Sequence, residues 1–283
     1  MLENSHTNEE TSMINFDILE IFDDKKYAQL AYDNNKAYLE NNPFPHIVFD
    51  NFLPQGIADT LANEYPNKEK KNTEFKFHNH ANTSRHFLDD ARYFSKNFKL
   101  FASAISSRSF LLFLEILTGN KSLISDPYFI GGGAMMTEKG GFLNIHVDFN
   151  WHQRLQAWRR CNVLFYLTED WKKEYQGNLE LWTTDGESKA KEIEPLFNRV
   201  VIFDTTNESY HGQPSKINTP DNIFRNVFSA FYYASTKNDK TDTAPHYTKY
   251  NKVDNIEKDI VVELDTSPYS EFIINDFLKD TTK

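Results

Sequence analysis

Three side chains of the sequence have the types and spacing of a metal site. His146 and Asp148 lie two residues apart in the strand-like run 142–149, and because strand side chains alternate, both point to one face. A second histidine would complete the two-histidine, one-carboxylate ligand set of non-haem Fe(II) sites, and His211, after the run 199–204, is the natural third ligand. Taken alone, the pair also fits a hydrogen-bonded strand histidine and an aspartate at a strand end.

A second polar group indicates an anion-binding site. Arg225 begins a strand-like aromatic run, where a buried guanidinium is costly unless an anion pairs with it. A dicarboxylate co-substrate would supply that anion through bidentate hydrogen bonds; a structural pair with Asp or Glu is the alternative. Ser229 shares the face of Arg225, and Tyr166 and Asn162 share one face of a neighbouring strand-like run. We predict that all three hydrogen-bond the same carboxylate, although a strand-end tyrosine can also direct its hydroxyl to water.

The connection directly beyond the first two metal-ligand candidates supplies candidate substrate contacts. Residues 150–160 link two predicted core strands, so we predict that Trp151, His152 and Arg154 face the substrate. A solvated connection anchored by one tryptophan is the alternative.

A polar stretch rich in histidine lies earlier in the chain. Residues 67–86, with His78, His80 and His86, are predicted to form a surface loop or an edge strand that could close over the pocket. We prefer a surface histidine cluster to a second metal site because no carboxylate or thiol stands at matching spacing.

These side chains must be positioned by a mainly β fold with flanking helices. Many short runs rich in Val, Ile, Phe, Tyr and Leu, separated by turn signals, are typical of a jelly roll. Apolar residues at helical spacing come first in the chain, which predicts N-terminal helices packed on one outer sheet face. The predicted strands are 46–50, 128–136, 142–149, 161–168, 178–183, 199–204 and 223–234. The predicted helical segments are 14–38, with a break near Asp23 and Asp24, 55–65 and 106–117.

The same patterns predict the domain organisation. We expect a partly helical N-terminal extension at 1–40, one domain at 41–236 with its jelly-roll core at about 126–236, and a C-terminal extension at 237–283 packed on that domain. The extension carries a strand-like run at 260–264 and an amphipathic run at 269–278.

Composition excludes several classes of protein. Of the 283 residues, 31 are Lys or Arg and 41 are Asp or Glu, a net charge of −10, which argues against dedicated nucleic-acid binding. The single cysteine, Cys161, excludes an internal disulfide and multi-thiolate zinc sites. There is no apolar run of the ~18 residues that a membrane span needs, and the polar start MLENSHTNEE lacks the features of a secretion signal. We therefore predict a cytoplasmic protein without a membrane partner.

The motifs together resemble the 2-oxoglutarate- and Fe(II)-dependent oxygenases of the prolyl 4-hydroxylase-like superfamily. The resemblance covers about 190 residues in family order. It implies a double-stranded β-helix, with His146, Asp148 and His211 as iron ligands and Arg225, assisted by Tyr166 and Asn162, on the distal carboxylate of 2-oxoglutarate. The matching segments are PFPHIVFDNFLP (43–54), GGGAMMTEKGGFLNIHVDFN (131–150), RRCNVLFYLTEDW (159–171), QGNLELW (176–182), EPLFNRVVIFDTTNESYHGQP (194–214) and RNVFSAFYYA (225–234).

The resemblance also implies an activity and its cofactors. These are Fe(II), the co-substrate 2-oxoglutarate and O₂, with ascorbate as a candidate reductant. The expected reaction is hydroxylation of an unactivated C–H bond, such as that of a prolyl residue in a protein or peptide, with release of succinate and CO₂. A carboxylate at Asp148 favours hydroxylation over halogenation, and Phe231 stands where repair enzymes of alkylated bases tend to carry a second arginine. A free amino acid or small metabolite as substrate, and a non-oxidative metal-binding jelly-roll isomerase or binding protein, are the alternatives; oligomeric state is not predicted.

Overall fold

Two antiparallel β-sheets form the centre of the protein. The computed structural model describes residues 21–66, 76–77 and 84–251. Helices cover the outer face of the larger sheet, and the smaller sheet packs against its inner face. The predicted mainly β fold with flanking helices is confirmed.

The strands follow one another along most of the described chain. They are β1 (His46–Phe49), β2 (Lys76–Phe77), β3 (Arg85–Leu88), β4 (Ile124–Ser125), β5 (Gly133–Thr137), β6 (Leu143–Val147), β7 (Trp151–His152), β8 (Ala157–Tyr166), β9 (Leu179–Trp182), β10 (Lys189–Ile193), β11 (Val200–Asp204), β12 (His211–Gln213), β13 (Arg225–Ala234) and β14 (Lys249–Tyr250). Within the described residues, the larger sheet has the order β1-β11-β8-β13-β5-β3-β2, with β4 beside β13 and β7 beside β8. The smaller sheet has the order β10-β9-β12-β6-β14.

The helices begin and end at local capping signals. They are α1 (Asp24–Leu39), α2 (Gln55–Asn63), α3 (Lys96–Ile105) and α4 (Arg108–Thr118). The side chain of Asp23 accepts a hydrogen bond from the Lys26 backbone N–H at 2.7 Å, so α1 begins at the break predicted near Asp23 and Asp24; residues 14–20 lie outside the described part of the chain. Gly119 ends α4 with φ +73°, a left-handed conformation that glycine adopts without steric cost.

The two faces of the larger sheet carry different cores. Alternate residues of β8, such as Val163 and Phe165, pack outward against α1, α3 and α4. Their neighbours Leu164 and Tyr166 pack inward with residues of β9, β11 and β13. Side chains from the inner face therefore line the space between the sheets, where the predicted site residues lie.

No single helix in the described ranges is long and apolar enough to span a membrane. Helices α3 and α4 reach that length and composition only as a pair, bent by 45° at their junction. Their apolar residues are buried in the outer core.

Several elements differ from the predicted ones. The strand predicted at 128–136 begins only at Gly133, because the Asp126 carboxylate accepts from the N–H groups of Tyr128 and Ile130 and shapes a loop. Helix α3 and strand β10 were not predicted from the pattern. The runs at 260–264 and 269–278 lie outside the described residues, and the domain limits at 41 and 236 stay a prediction.

Candidate active site

Pairing between β6 and β12 brings the three candidate ligands together. His211 lies directly opposite His146 in this pairing, and their ring centroids are 4.5 Å apart. Asp148, one residue beyond β6, places its two carboxylate oxygens 3.4 Å from the Nε2 atoms of His146 and His211. One donor atom from each of the three residues lies within 4.8 Å of the others, and all three residues are buried.

Backbone carbonyls orient both imidazoles in the same way. Nδ1 of His146 lies 2.7 Å from the Asn144 carbonyl oxygen, and Nδ1 of His211 lies 2.9 Å from the Ser209 carbonyl oxygen. A carbonyl oxygen can only accept, so each Nδ1 carries the proton and each Nε2 presents its lone pair toward Asp148. This tautomer and orientation are those of metal-binding histidines.

Two residues of β8 contact the Asp148 carboxylate. The Asn162 side-chain amide donates to Asp148 Oδ2 at 2.7 Å, and the same oxygen lies 3.1 Å from Nη2 of the buried Arg159. Asn162 in turn accepts from Arg159 Nε at 2.9 Å and from the Thr205 hydroxyl at 3.2 Å. The carboxylate position is therefore set by a buried network in which the structure places Asn162 at the metal end.

A β-bulge explains why strand alternation did not identify Arg159. On β13, Tyr232 pairs with Cys161 and Tyr233 with Arg159, so Arg160 is an extra residue on β8. Strict alternation would direct Arg159 and Asn162 to opposite faces, but the extra residue turns Arg159 to the same side. Its guanidinium carbon lies 3.5 Å from the centre of the Phe231 ring.

Burial and neighbouring charges lower the pKa values of two of the ligand candidates. Burial disfavours the ionised form of Asp148, but Arg159 and the two histidines outweigh that effect and hold the pKa of Asp148 well below its usual value. Burial lowers the pKa of His211 to about 4, against the opposing attraction of Asp148. At neutral pH the site therefore presents a carboxylate and a neutral imidazole, the forms that bind a metal.

Arg225 lies on the same inner sheet face and has no carboxylate partner among the described residues. Its Nε donates to the Gly177 carbonyl at 2.7 Å, and its Nη2 lies 3.5 Å from the Tyr166 hydroxyl. Burial lowers the pKa of Arg225, and Tyr166 opposes that shift. Ser229 shares the face of Arg225, opposite Leu164 of β8. The alternative of a structural Asp or Glu partner is not observed in the described ranges.

The predicted substrate-facing residues make contacts of their own. The Trp151 ring lies 4.8 Å from that of Trp158 across the β7–β8 pairing. His152 is 2% exposed and lies 3.3 Å from Asp126, and its Nδ1 accepts from the Leu155 N–H. Arg154 stacks over the Tyr128 ring at 3.7 Å. Their role toward a substrate stays a prediction, and the histidines at 78 and 80 lie outside the described residues.

The donor set fits iron. Two imidazole nitrogens and one carboxylate in a buried cluster match the facial ligand set of non-haem Fe(II) enzymes. Both imidazoles are held by carbonyls, and the carboxylate is hydrogen-bonded by Asn162, so the donors are already oriented without a metal.

Comparisons with known proteins agree with this geometry. Residues 132–233 match the family model described as the 2OG-Fe(II) oxygenase superfamily. A prolyl hydroxylase from Trichoplax adhaerens, solved with a hypoxia inducible factor peptide, is 17% identical, with a TM-score of 0.54 over 74% of this chain and 91% of that chain. A prolyl 4-hydroxylase from Phytophthora capsici is 19% identical, with a TM-score of 0.53 over 75% of this chain and 66% of that chain. No curated protein sequence matches the chain.

The matched segment contains every candidate ligand and the buried arginine. His146, Asp148, His211 and Arg225 all lie between residues 132 and 233, and the two solved structures share the fold. The expected cofactors of this family are Fe(II) and 2-oxoglutarate, and the donor set fits that iron. The protein is therefore a 2-oxoglutarate-dependent oxygenase by its fold and its site, and residues 132–233 are similar to the 2OG-Fe(II) oxygenase superfamily.

Proposed function

We propose that this oxygenase hydroxylates an unactivated C–H bond and releases succinate and CO₂. The observation that carries the proposal is a buried metal-ligand cluster facing, from the other sheet, a buried arginine that has no carboxylate partner among the described residues. A metal-binding isomerase of similar fold would need the cluster but would have no use for Arg225 at the other end of the pocket.

The proposed roles follow from the contacts of each residue. His146, Asp148 and His211 would hold the iron, and Arg225 would bind the distal carboxylate of 2-oxoglutarate through its guanidinium, with the Tyr166 hydroxyl beside it. Iron and 2-oxoglutarate, when bound, supply the oxidising power for hydroxylation. Phe203, whose ring centre lies 4.6 Å from that of His211, provides an apolar wall that excludes water from the metal end.

For the substrate we propose a prolyl residue of a protein or peptide. Support comes from the Trichoplax adhaerens enzyme, whose structure holds a peptide fragment of hypoxia inducible factor. A free amino acid or another small metabolite is the second candidate.

Anaerobic addition of Fe(II) and 2-oxoglutarate tests the proposed chemistry. The wild-type protein should develop a visible metal-to-ligand charge-transfer band, and His146→Ala should lose it. His46→Ala is the matched control, because His46 is equally buried but lies on β1 with its Nδ1 on the Phe44 carbonyl. Circular dichroism checks folding of each variant. A folded wild-type protein without the band, or a band that persists in His146→Ala, contradicts the proposal.

A further inference from the structure

A second arginine faces the same inner surface as Arg225. In the sheet, Arg85 of β3 pairs with Thr137 of β5, and Thr137 pairs with Arg225 of β13. Residues paired across antiparallel strands point to the same side, so the three form a row across the inner face. The alternate residue Leu88 packs into the outer core, which agrees with this orientation.

Arg85 is a cation without an anionic partner in the described part of the chain. Its Nη2 lies 3.5 Å from Met135 Sδ, and its guanidinium carbon lies 4.9 Å from the centre of the Phe87 ring. Burial lowers the pKa of Arg85 to about 10, so the group stays charged at neutral pH. A desolvated guanidinium with only a thioether and a ring beside it leaves most of its donors for a ligand.

Arg85 faces the same pocket as Arg225 and the candidate metal ligands. Tyr250, Arg225 and Asp148 all act on Arg85 electrostatically, in that order of size, and Arg225 itself is engaged by Gly177 and Tyr166. Tyr250 pairs with His146 across β14 and β6, and the two ring centres are 5.5 Å apart. Tyr250 therefore lies beside a metal-ligand candidate on the smaller sheet, and Arg85 faces the same space from the larger sheet.

The charges around the pocket leave Arg85 uncompensated. Asp148 is paired with Arg159, and the distal carboxylate of 2-oxoglutarate is assigned above to Arg225. A tyrosine hydroxyl is neutral at neutral pH, so Tyr250 can donate a hydrogen bond without supplying negative charge. Neither the described residues nor the co-substrate leaves an anion to pair with Arg85.

We propose that Arg85, with Tyr250 beside it, binds a carboxylate group of the substrate near the metal. The inference rests on the proposed function, because it treats the neighbouring cluster as the reaction centre. Guanidinium and carboxylate form paired hydrogen bonds in one plane, which would fix the orientation of the substrate. The carboxylate belongs either to a free amino acid or to an acidic side chain next to the hydroxylated residue of a peptide.

Arginine side-chain NMR tests the proposal without requiring the natural substrate. The probe is acetate, with the neutral acetamide as its matched counterpart, added to ¹⁵N-labelled protein loaded with redox-inactive Zn(II) and saturating 2-oxoglutarate. The Nε–H resonance of Arg85 is identified by its loss in Arg85→Gln, and Arg108→Gln serves as a control because Arg108 is an exposed arginine at the start of α4. We expect acetate to shift the Arg85 resonance saturably and acetamide to bind at least tenfold more weakly. Arg85→Lys should retain only part of the acetate affinity.

The outcomes separate this proposal from the proposed function. The proposal is overturned if the Arg85 resonance does not shift with acetate. It is also overturned if that resonance shifts on addition of 2-oxoglutarate before any acetate, because Arg85 is then another contact of the co-substrate. An Arg225 resonance that ignores 2-oxoglutarate contradicts the proposed function instead.

Succinate release then distinguishes the two sources of the carboxylate. One arm compares free amino acids with their amides, and the other compares prolyl peptides carrying Glu beside the proline with the same peptides carrying Gln. Stimulation by the acid member of either pair, lost in Arg85→Gln, supports the proposal and identifies the source. Equal stimulation by acid and neutral members, or stimulation by neither, contradicts it.

Discussion

Replacing Asn162 with alanine separates two roles for this residue. The sequence places Asn162 on the same strand face as Tyr166 and predicts a contact with 2-oxoglutarate, whereas the structure places its amide 2.7 Å from Asp148 Oδ2. Asn162→Ala removes this neutral donor without changing the charge of the site. It also leaves Arg159 Nε, 2.9 Å from the Asn162 oxygen, without its acceptor.

The contacts set the expected size of the effect. A hydrogen bond to a charged group contributes ~1.5–3 kcal/mol, and each ~1.4 kcal/mol is a factor of ten in affinity. The Kd for the metal should therefore rise by roughly 10–100-fold, the range found when residues behind metal ligands are replaced. Loss of that donor also raises the pKa of Asp148, so the pH at which metal binding is half lost should move upward.

Two binding measurements on the same variant decide between the roles. The Kd for Co(II) is measured by visible absorption, and the Kd for 2-oxoglutarate is then measured at saturating metal. Cys161→Ala is the matched control, because Cys161 is the adjacent buried residue of β8 and packs in the outer core. An unchanged metal Kd together with a weakened 2-oxoglutarate Kd would refute the positioning role of Asn162.

Three further predictions concern the co-substrate end and one buried acid. Arg225→Ala should raise the KM for 2-oxoglutarate by roughly 100-fold, since it removes a charged hydrogen-bond donor, with the metal Kd unchanged; normal succinate release would contradict this. Gly177→Ala should raise the same KM several-fold, because φ is +77° and a Cβ would lie 3.2 Å from Arg225 Cδ, and an unchanged KM in folded protein would argue against it. Burial raises the pKa of Asp204 to about 7 despite the Tyr38 hydrogen bond, so the native state holds a proton that the unfolded chain has lost between pH ~4 and 7, and stability falls as pH rises through that window. Asp204→Asn should therefore stabilise the protein more at pH 8 than at pH 5, by up to about 3 kcal/mol; urea unfolding that gives an equal gain at both pH values would exclude this reasoning.

Local chemistry explains why much of the fold could be predicted. Alternating apolar runs and turn residues predict strands wherever burial of one face outweighs other preferences, and Gly119 ends a helix for a reason contained in its own backbone freedom. The prediction was less accurate where a side chain accepts hydrogen bonds from backbone N–H groups that would otherwise pair with a neighbouring strand. Asp126 captures the N–H groups of Tyr128 and Ile130 and delays β5, and the pattern carries no signal for that contact.

The sequence by itself determined the chemical types at the site and the strands that carry them. His146 and Asp148 share a strand face because side chains alternate, and Arg225 in an aromatic strand requires an anion because its burial is costly. Only the tertiary structure decided which strands are neighbours. Register across β12 and β6 sets His211 opposite His146, and the pairing of β3, β5 and β13 places Arg85 in the row of Arg225.

The bulge in β8 is the clearest example of a feature that the periodicity of the sequence does not predict. One extra residue at Arg160 turns Arg159 toward Asp148. Asn162 hydrogen-bonds both Arg159 and Asp148 at the metal end of the pocket. Periodicity assigns a face to each residue but cannot detect a slip in pairing with a strand that lies about 70 residues later in the chain. The physical reason is that register depends on contacts between distant segments, which form only when the whole sheet is assembled.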